Sequence, residues 1–144
     1  KIVTEKEVFE GDFKDGLKEG LGELRNSIDG KLIHKGNYQN NLKNGLGIEF
    51  YEDNSVYSGN FKNNLKHGKG KLELSAEKKY IGEFNENKIE GFGTFIFSSN
   101  KICQGNWLNN EIDGFCIFQR EDKIHKGKIS LIFQVSINQT KKMV

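Results

Sequence analysis

Apolar and polar positions alternate along this chain in short runs, separated by small polar clusters. In the stretch 56–62, Tyr57, Gly59 and Phe61 fall on one face of an extended strand, because strand side chains point alternately to opposite sides. After a polar link, Gly68, Gly70, Leu72 and Leu74 repeat the alternation. The pattern predicts a β-hairpin of two short antiparallel strands. The links carry the chemistry of tight turns: Asp15-Gly16, Asn40-Asn41, Asn63-Asn64, Glu86-Asn87 and Asn109-Asn110. Asn and Gly tolerate the positive φ such turns need. A second set of turns is predicted at Asp29-Gly30, Asp53-Asn54, around Ala76-Glu77, Ser99-Asn100 and Glu121-Asp122. Ala76-Glu77 has the weakest turn chemistry of these.

The same hairpin recurs in a fixed glycine frame. Gly11, Gly20 and Gly22 are followed by Gly36, Gly45 and Gly47, then Gly59, Gly68 and Gly70, then Gly82, Gly91 and Gly93, then Gly105 and Gly114. Cys116 takes the place of the last glycine of the fifth set. The first glycines are 25, 23, 23 and 23 residues apart, and Gly127 follows 22 residues later. A fixed period of this size predicts a repeat protein. The expected fold is all-β: an elongated single-layer antiparallel sheet of consecutive hairpin repeats. Units start near 8, 33, 56, 79, 102 and 124, between a cap strand at 1–7 and a capping or pairing strand with a polar tail at 128–144. Strands about 4.8 Å apart give a rod on the order of 55 Å long.

Glycine weakens a strand unless something must approach its backbone closely. The glycines are therefore read as structural. The rings of Phe13, Tyr38, Phe61, Phe84 and Trp107, on the first strand of each unit, are expected to lie across the bare backbone of the second. The frame departs from itself late. His34, Cys103 and His125 stand where the first aromatic of a unit is expected, Glu49 stands at an apolar position, and the sixth unit keeps only Gly127.

Composition narrows the function classes. The 144 residues amount to one domain, and no apolar run is long enough for a membrane helix. Mean hydropathy is −0.67. No signal peptide is evident, and a start at Lys1 rather than Met is expected of a piece of a longer protein. Two cysteines are too few for a disulfide framework, and a reducing compartment fits. Cys103 and Cys116 fall diagonally across one hairpin, a poor geometry for a bridge. A net charge of +2 with both signs interspersed is no nucleic-acid footprint. Only Arg25 and Arg120 are arginines, which argues mildly against dedicated phosphate recognition.

The Gly-x-Gly pairs do not open helices, so they are not read as nucleotide loops. His34, His67 and His125 lack partners at ligand spacing, and no metal, cofactor or catalytic residue is expected. Glu19, Glu90 and Asp113 recur before the second glycine, which marks loop structure rather than a catalytic pair. Asn138-Gln139-Thr140 matches a glycosylation sequon without other signs of secretion. Ile129, Leu131, Phe133, Val135 and Ile137 alternate with mostly polar residues in one amphipathic strand. That strand either closes the last repeat or pairs, as an open edge, with another chain.

The string Tyr-Ser-Gly-Asn-Phe-Lys-Asn-Asn-Leu-Lys-His-Gly-Lys-Gly at 57–70 resembles a MORN repeat, the membrane occupation and recognition nexus motif. Similar strings at 9–22, 35–47, 80–93 and 104–115 extend the resemblance over about 8–127. The resemblance implies a non-catalytic scaffold or protein-interaction module in a ciliary, axonemal or cytoskeletal assembly. Its partner would be a helix, a peptide or a second copy. The expected contact face is the aromatic stripe of Tyr57, Phe61, Tyr80, Phe84, Phe95, Phe97 and Trp107, as far as those rings stay exposed beyond packing on the glycines. An alternative is anionic-lipid or phosphoinositide binding at a membrane surface, through the loop lysines Lys18, Lys43, Lys66 and Lys88. A third reading is a targeting segment of a larger lipid kinase or lysine methyltransferase.

Overall fold

The computed structural model describes residues 1–120 and 123–128. Twelve strands among them form one antiparallel sheet in chain order: β1 (Ile2–Val3), β2 (Glu7–Lys14), β3 (Leu17–Asn26), β4 (Leu32–Gln39), β5 (Leu42–Phe50), β6 (Val56–Lys62), β7 (Leu65–Glu73), β8 (Lys79–Asn85), β9 (Lys88–Ser98), β10 (Lys101–Leu108), β11 (Glu111–Arg120) and β12 (Lys123–Lys128). No described residue is helical. The five hairpins β2–β3, β4–β5, β6–β7, β8–β9 and β10–β11 are the five units, as the alternation predicts. β12 pairs with β11, and β1 adds a two-residue edge that sets Ile2 against Phe9. The strand expected over 129–137 lies outside the described residues.

The hairpin turns behave as their sequences require. Both central residues have positive φ at Asn40 (49°) and Asn41 (70°), at Asn63 (49°) and Asn64 (71°), and equally at Glu86-Asn87 and Asn109-Asn110. The second asparagine does more than tolerate that conformation. Asn64 accepts a hydrogen bond from the Lys43 N–H through Oδ1 (2.8 Å), and its own N–H donates to the Lys43 carbonyl (3.0 Å). Asn41 clasps Lys18 in this way, Asn87 clasps Lys66, and Asn110 clasps Ile89. Each clasp joins one hairpin turn to the turn of the preceding unit. The weak turn at 75–78 closes through the Lys78 carbonyl, which accepts from the N–H groups of Leu74 and Ser75.

One row of the register holds the first and third glycines of every unit. Gly11, Gly22, Gly36, Gly47, Gly59, Gly70, Gly82, Gly93 and Gly105 face one another across successive strands, followed by Cys116 and Gly127. A Cβ on Gly70 would come within 2.5 Å of the Tyr57 ring. The rings over the glycines are thus the first aromatics of each unit, Phe9, Tyr57 and Tyr80, with the His34 ring in the same place. The expectation that Phe13, Tyr38, Phe61, Phe84 and Trp107 cross the partner strand's bare backbone is corrected. From Tyr38 on, these second aromatics lie opposite the second glycine of the preceding unit: Tyr38 faces Gly20, Phe61 Gly45, Phe84 Gly68 and Trp107 Gly91.

The reason is an irregularity in each hairpin. One residue separates Gly59 from Phe61, whereas three separate the residues paired with them, Gly70 and Lys66. The surplus bulges at Gly68, which takes φ 67°. The bulge swings Phe61 away from Gly70 toward the preceding unit, where it faces Gly45, while Tyr57, on the regular side, stays over the glycine row.

Together the two sets of rings form a continuous edge-to-face chain. Phe13, Phe9, Tyr38, His34, Phe61, Tyr57, Phe84, Tyr80 and Trp107 succeed one another with centroids 4.9–5.6 Å apart and planes 77–90° apart. Each first ring touches the second ring of its own unit and of the next. Edge-to-face pairs contribute about 0.5–1.5 kcal/mol each beyond area burial. The chain of rings therefore supplies a core that no single unit has.

Candidate functional site

The sheet offers two faces of opposite character. On the aromatic face, Tyr57, Phe61, Tyr80, Phe84, Phe95 and Trp107 are 0–3 % exposed, and Phe97 is half-buried against them. Their polar atoms are engaged inward. The Tyr57 hydroxyl donates to the Asn60 carbonyl (2.8 Å), the Tyr80 hydroxyl to the Glu83 carbonyl (3.2 Å), and the Trp107 indole N–H to the Gly93 carbonyl (3.1 Å). The stripe expected to meet a partner is the hydrophobic core of the molecule. Ring packing takes up the surface that was to be left exposed.

Three of the four loop lysines turn toward this face too. Lys18 lies 4.6 Å from the Phe9 ring centroid, Lys43 5.4 Å from Phe61, and Lys66 5.0 Å from Tyr51 and 5.7 Å from Tyr57. Lys88 is out of register with them. Lys18, Lys43 and Lys66 pair with the second aromatic of their units, but in the fourth unit Ile89 does so, and Lys88 bonds Asn109 on the next turn (3.1 Å).

The aromatic face becomes polar in the second unit. Glu49 pairs in register with His34 and with Tyr57. Its carboxylate forms an ion pair with Lys43 and accepts a hydrogen bond from the Tyr51 hydroxyl (2.9 Å), which in turn accepts from Lys66 Nζ (2.9 Å). Lys66 is only 4 % exposed. Burial lowers its pKa, with Glu49 opposing. His34 shares a 2.8 Å hydrogen bond with the Tyr38 hydroxyl through Nδ1, and its Nε2 has no partner. Burial and the Lys43 charge hold the imidazole down to about 4, so it is neutral near pH 7. An open hollow of about 710 Å³ adjoins Glu49 and Tyr51, walled by turn residues including Asp29, Lys31, Glu52 and Asn54. Mixed charges line it, and the described residues contain no group of His, Cys, Asp and Glu able to hold a metal.

The fifth unit is modified differently. Cys103 pairs with Phe118 and Cys116 with Gly105, so the thiols are diagonal as the spacing predicts. Both are buried and free, and burial raises both thiol pKa values. Cys103 replaces a ring and Cys116 a glycine. The smaller side chain in the ring position leaves the room that the Cys116 side chain fills.

The outer face is the exposed one. The residue inside each Gly-x-Gly points outward: Leu21 (64 % exposed), Leu46 (63 %), Lys69, Phe92 (54 %) and Phe115 (69 %). Ile48, Ile81 and Ile117 stand in the adjacent outward row. Between the rows, on β5 to β9, runs a shallow groove of about 540 Å³. Its floor is Gly59, Gly70 and Gly82, and its walls include Leu46, Ile81 and Phe92. Sequence reasoning missed this face because it attended to the rings. The signal was present in the apolar x of Gly-Leu-Gly and Gly-Phe-Gly.

No helix among the described residues is long and apolar enough to cross a membrane. A search among curated proteins found no match. The model of the MORN repeat matches five segments, 9–27, 34–56, 57–75, 80–101 and 103–123. These matches follow the five hairpins and span most of the chain, and the chain belongs to the MORN repeat family.

Proposed function

We propose that this chain is a non-catalytic interaction module that holds a protein partner on its outer face. The observation that carries the reading is the exposure of Leu21, Leu46, Phe92 and Phe115 on one face while the rings of the other are closed against one another. Exposed apolar rows on a folded surface usually mark a contact. His34, Cys103 and Cys116 are buried, which favours packing roles for them. On the family resemblance, the setting we propose is a ciliary, axonemal or cytoskeletal assembly.

Anionic lipid is the competing reading. The inward turn of Lys18, Lys43 and Lys66 removes most of the basic row it relied on, which supports protein over lipid. Crosslinking mass spectrometry on the full-length protein tests the proposal. Partner crosslinks are expected at the outward-facing Lys35, Lys69 and Lys71, with loss of the partner on combining Leu46→Asp and Phe92→Asp. Retention of the partner by that variant, or pelleting of the wild type with anionic vesicles at ordinary salt, overturns it.

A further inference from the structure

We propose that the occupant of the outer groove is an amphipathic helix of the partner, laid along the stack, with an acidic residue flanked by apolar residues seven positions to either side. The inference rests on the outer-face reading above and adds the chemistry of the partner.

The first argument is spacing. The outward Gly-x-Gly residues recur on every second strand, hence at roughly 10 Å along the rod. A helix rises 1.5 Å per residue, so residues seven apart on one side are about 10.5 Å apart. An extended segment covers 10 Å in about three residues, and an odd step turns the side chain to the opposite face. The ladder therefore matches a helix and mismatches a strand. Sheet twist of roughly 20° per strand carries the ladder around the rod. A straight helix can follow it for about two repeats, which is the span of the groove from Leu46 on β5 to Phe92 on β9.

The second argument is charge. Midway between Leu46 and Phe92 the ladder carries Lys69, exposed and in no ion pair among the described residues. Its cross-strand neighbour Glu83 is turned aside, with Oε2 accepting the Phe92 N–H (3.0 Å). A carboxylate on the middle turn of a bound helix would meet Lys69 while apolar residues one heptad away on each side meet Leu46 and Phe92. The same lysine disfavours a second copy. Two chains related by a two-fold axis through the ladder's centre would set Lys69 against its own mate.

Panning a display library of helical peptides, randomised on one face, against the full-length protein tests this. Recovered peptides are expected to carry apolar–acidic–apolar residues at seven-residue steps. Panning on the Lys69→Glu variant is expected to exchange the central acid for Lys or Arg. Peptides selected on the wild type should bind that variant about tenfold more weakly, because an exposed attraction becomes a repulsion. Lys69→Gln serves as a second variant if the charge reversal disturbs folding. Peptides that depend on Leu46 and Phe92 but show an extended, two-residue pattern overturn the helix while leaving the outer-face reading intact. Peptides indifferent to Leu46 and Phe92 overturn both. An unchanged central residue on Lys69→Glu, or no enrichment at all, overturns the helix proposal.

Discussion

The second and third units have nearly the same backbone and different interiors. In the third, Tyr57 lies over Gly59 and Gly70, faces Leu72 across the hairpin, and caps the Asn60 carbonyl with its hydroxyl. In the second, His34 lies over Gly36 and Gly47, faces Glu49, and turns to Tyr38 instead. Both rings keep their place in the edge-to-face chain, with centroids 5.1 Å from Phe61. The glycine row thus requires a flat ring above it. It does not dictate the ring's polarity, provided the neighbours compensate. Glu49, Lys43 and Tyr51 are that compensation, and it holds the second unit together through charge where the third uses apolar contact.

Adding volume in the regular unit should have the largest effect. A Cβ at Gly70 would meet Tyr57 at 2.5 Å, while one at Gly47 would meet only His34 Nε2 and flanking atoms, at 2.6–3.2 Å. Gly70→Val is expected to cost about 3 kcal/mol, lowering the melting temperature by about 10 °C. Gly47→Ala should cost less than Gly70→Ala. Equal melting temperatures for the two alanine variants would remove the difference in ring overlap.

Acid should discriminate next. The His34 pKa is near 4 in the folded chain and 6.5 when unfolded. Between those values the unfolded chain binds more protons, so stability is full above pH 6.5 and falls as pH drops toward 4. The loss is capped at about 3 kcal/mol by the size of the shift. Urea titrations between pH 7 and 4 should show it, and His34→Phe should flatten the dependence over that window. A wild-type curve parallel to that of His34→Phe would count against it.

The charge compensation can be taken apart in two steps. Glu49→Leu strands Lys43 beside its aromatic neighbours and is expected to cost about 2 kcal/mol. Adding Lys43→Ile imitates the fourth unit, where Ile89 faces Phe84, and should restore most of the loss. Equilibrium unfolding of both variants decides, and a double variant no more stable than the single would break the comparison. The smallest effect should come from Asn87→Ala, about 1 kcal/mol from the lost Oδ1 bond to the Lys66 N–H. Asn87→Gly keeps the positive φ at no steric cost and should be milder. If the two variants melt together, strain at the turn accounts for little of the cost.

The strands, their order and most turns were legible because they rest on local rules. Alternation fixes the face of Tyr57 and Phe61, and Asn-Asn marks positive φ. The identity of the ring above each glycine was not legible. It depends on the bulge at Gly68, where two surplus residues on one strand redirect Phe61. Nor was the asparagine clasp, since it joins residues 21 apart through a side chain that local turn chemistry already explains. The site suffered most. An aromatic in a single-layer sheet looks exposed by residue count, yet each ring from Phe9 to Tyr80 in the edge-to-face chain has two others against it. Burial came from neighbours in adjacent units, a sum that one repeat's sequence does not display.

The single row of strands also sets how the molecule answers force. Its backbone hydrogen bonds run along the rod, perpendicular to the strands. Tension applied between the ends passes through every ladder in series, so one junction should open first and the chain then peel from there. Side-on shear would load every bond of a ladder together. Clasps and rings tie each unit to the next, which makes every junction a separate link in series. The weakest junction, not the average one, sets the load at which the rod begins to open.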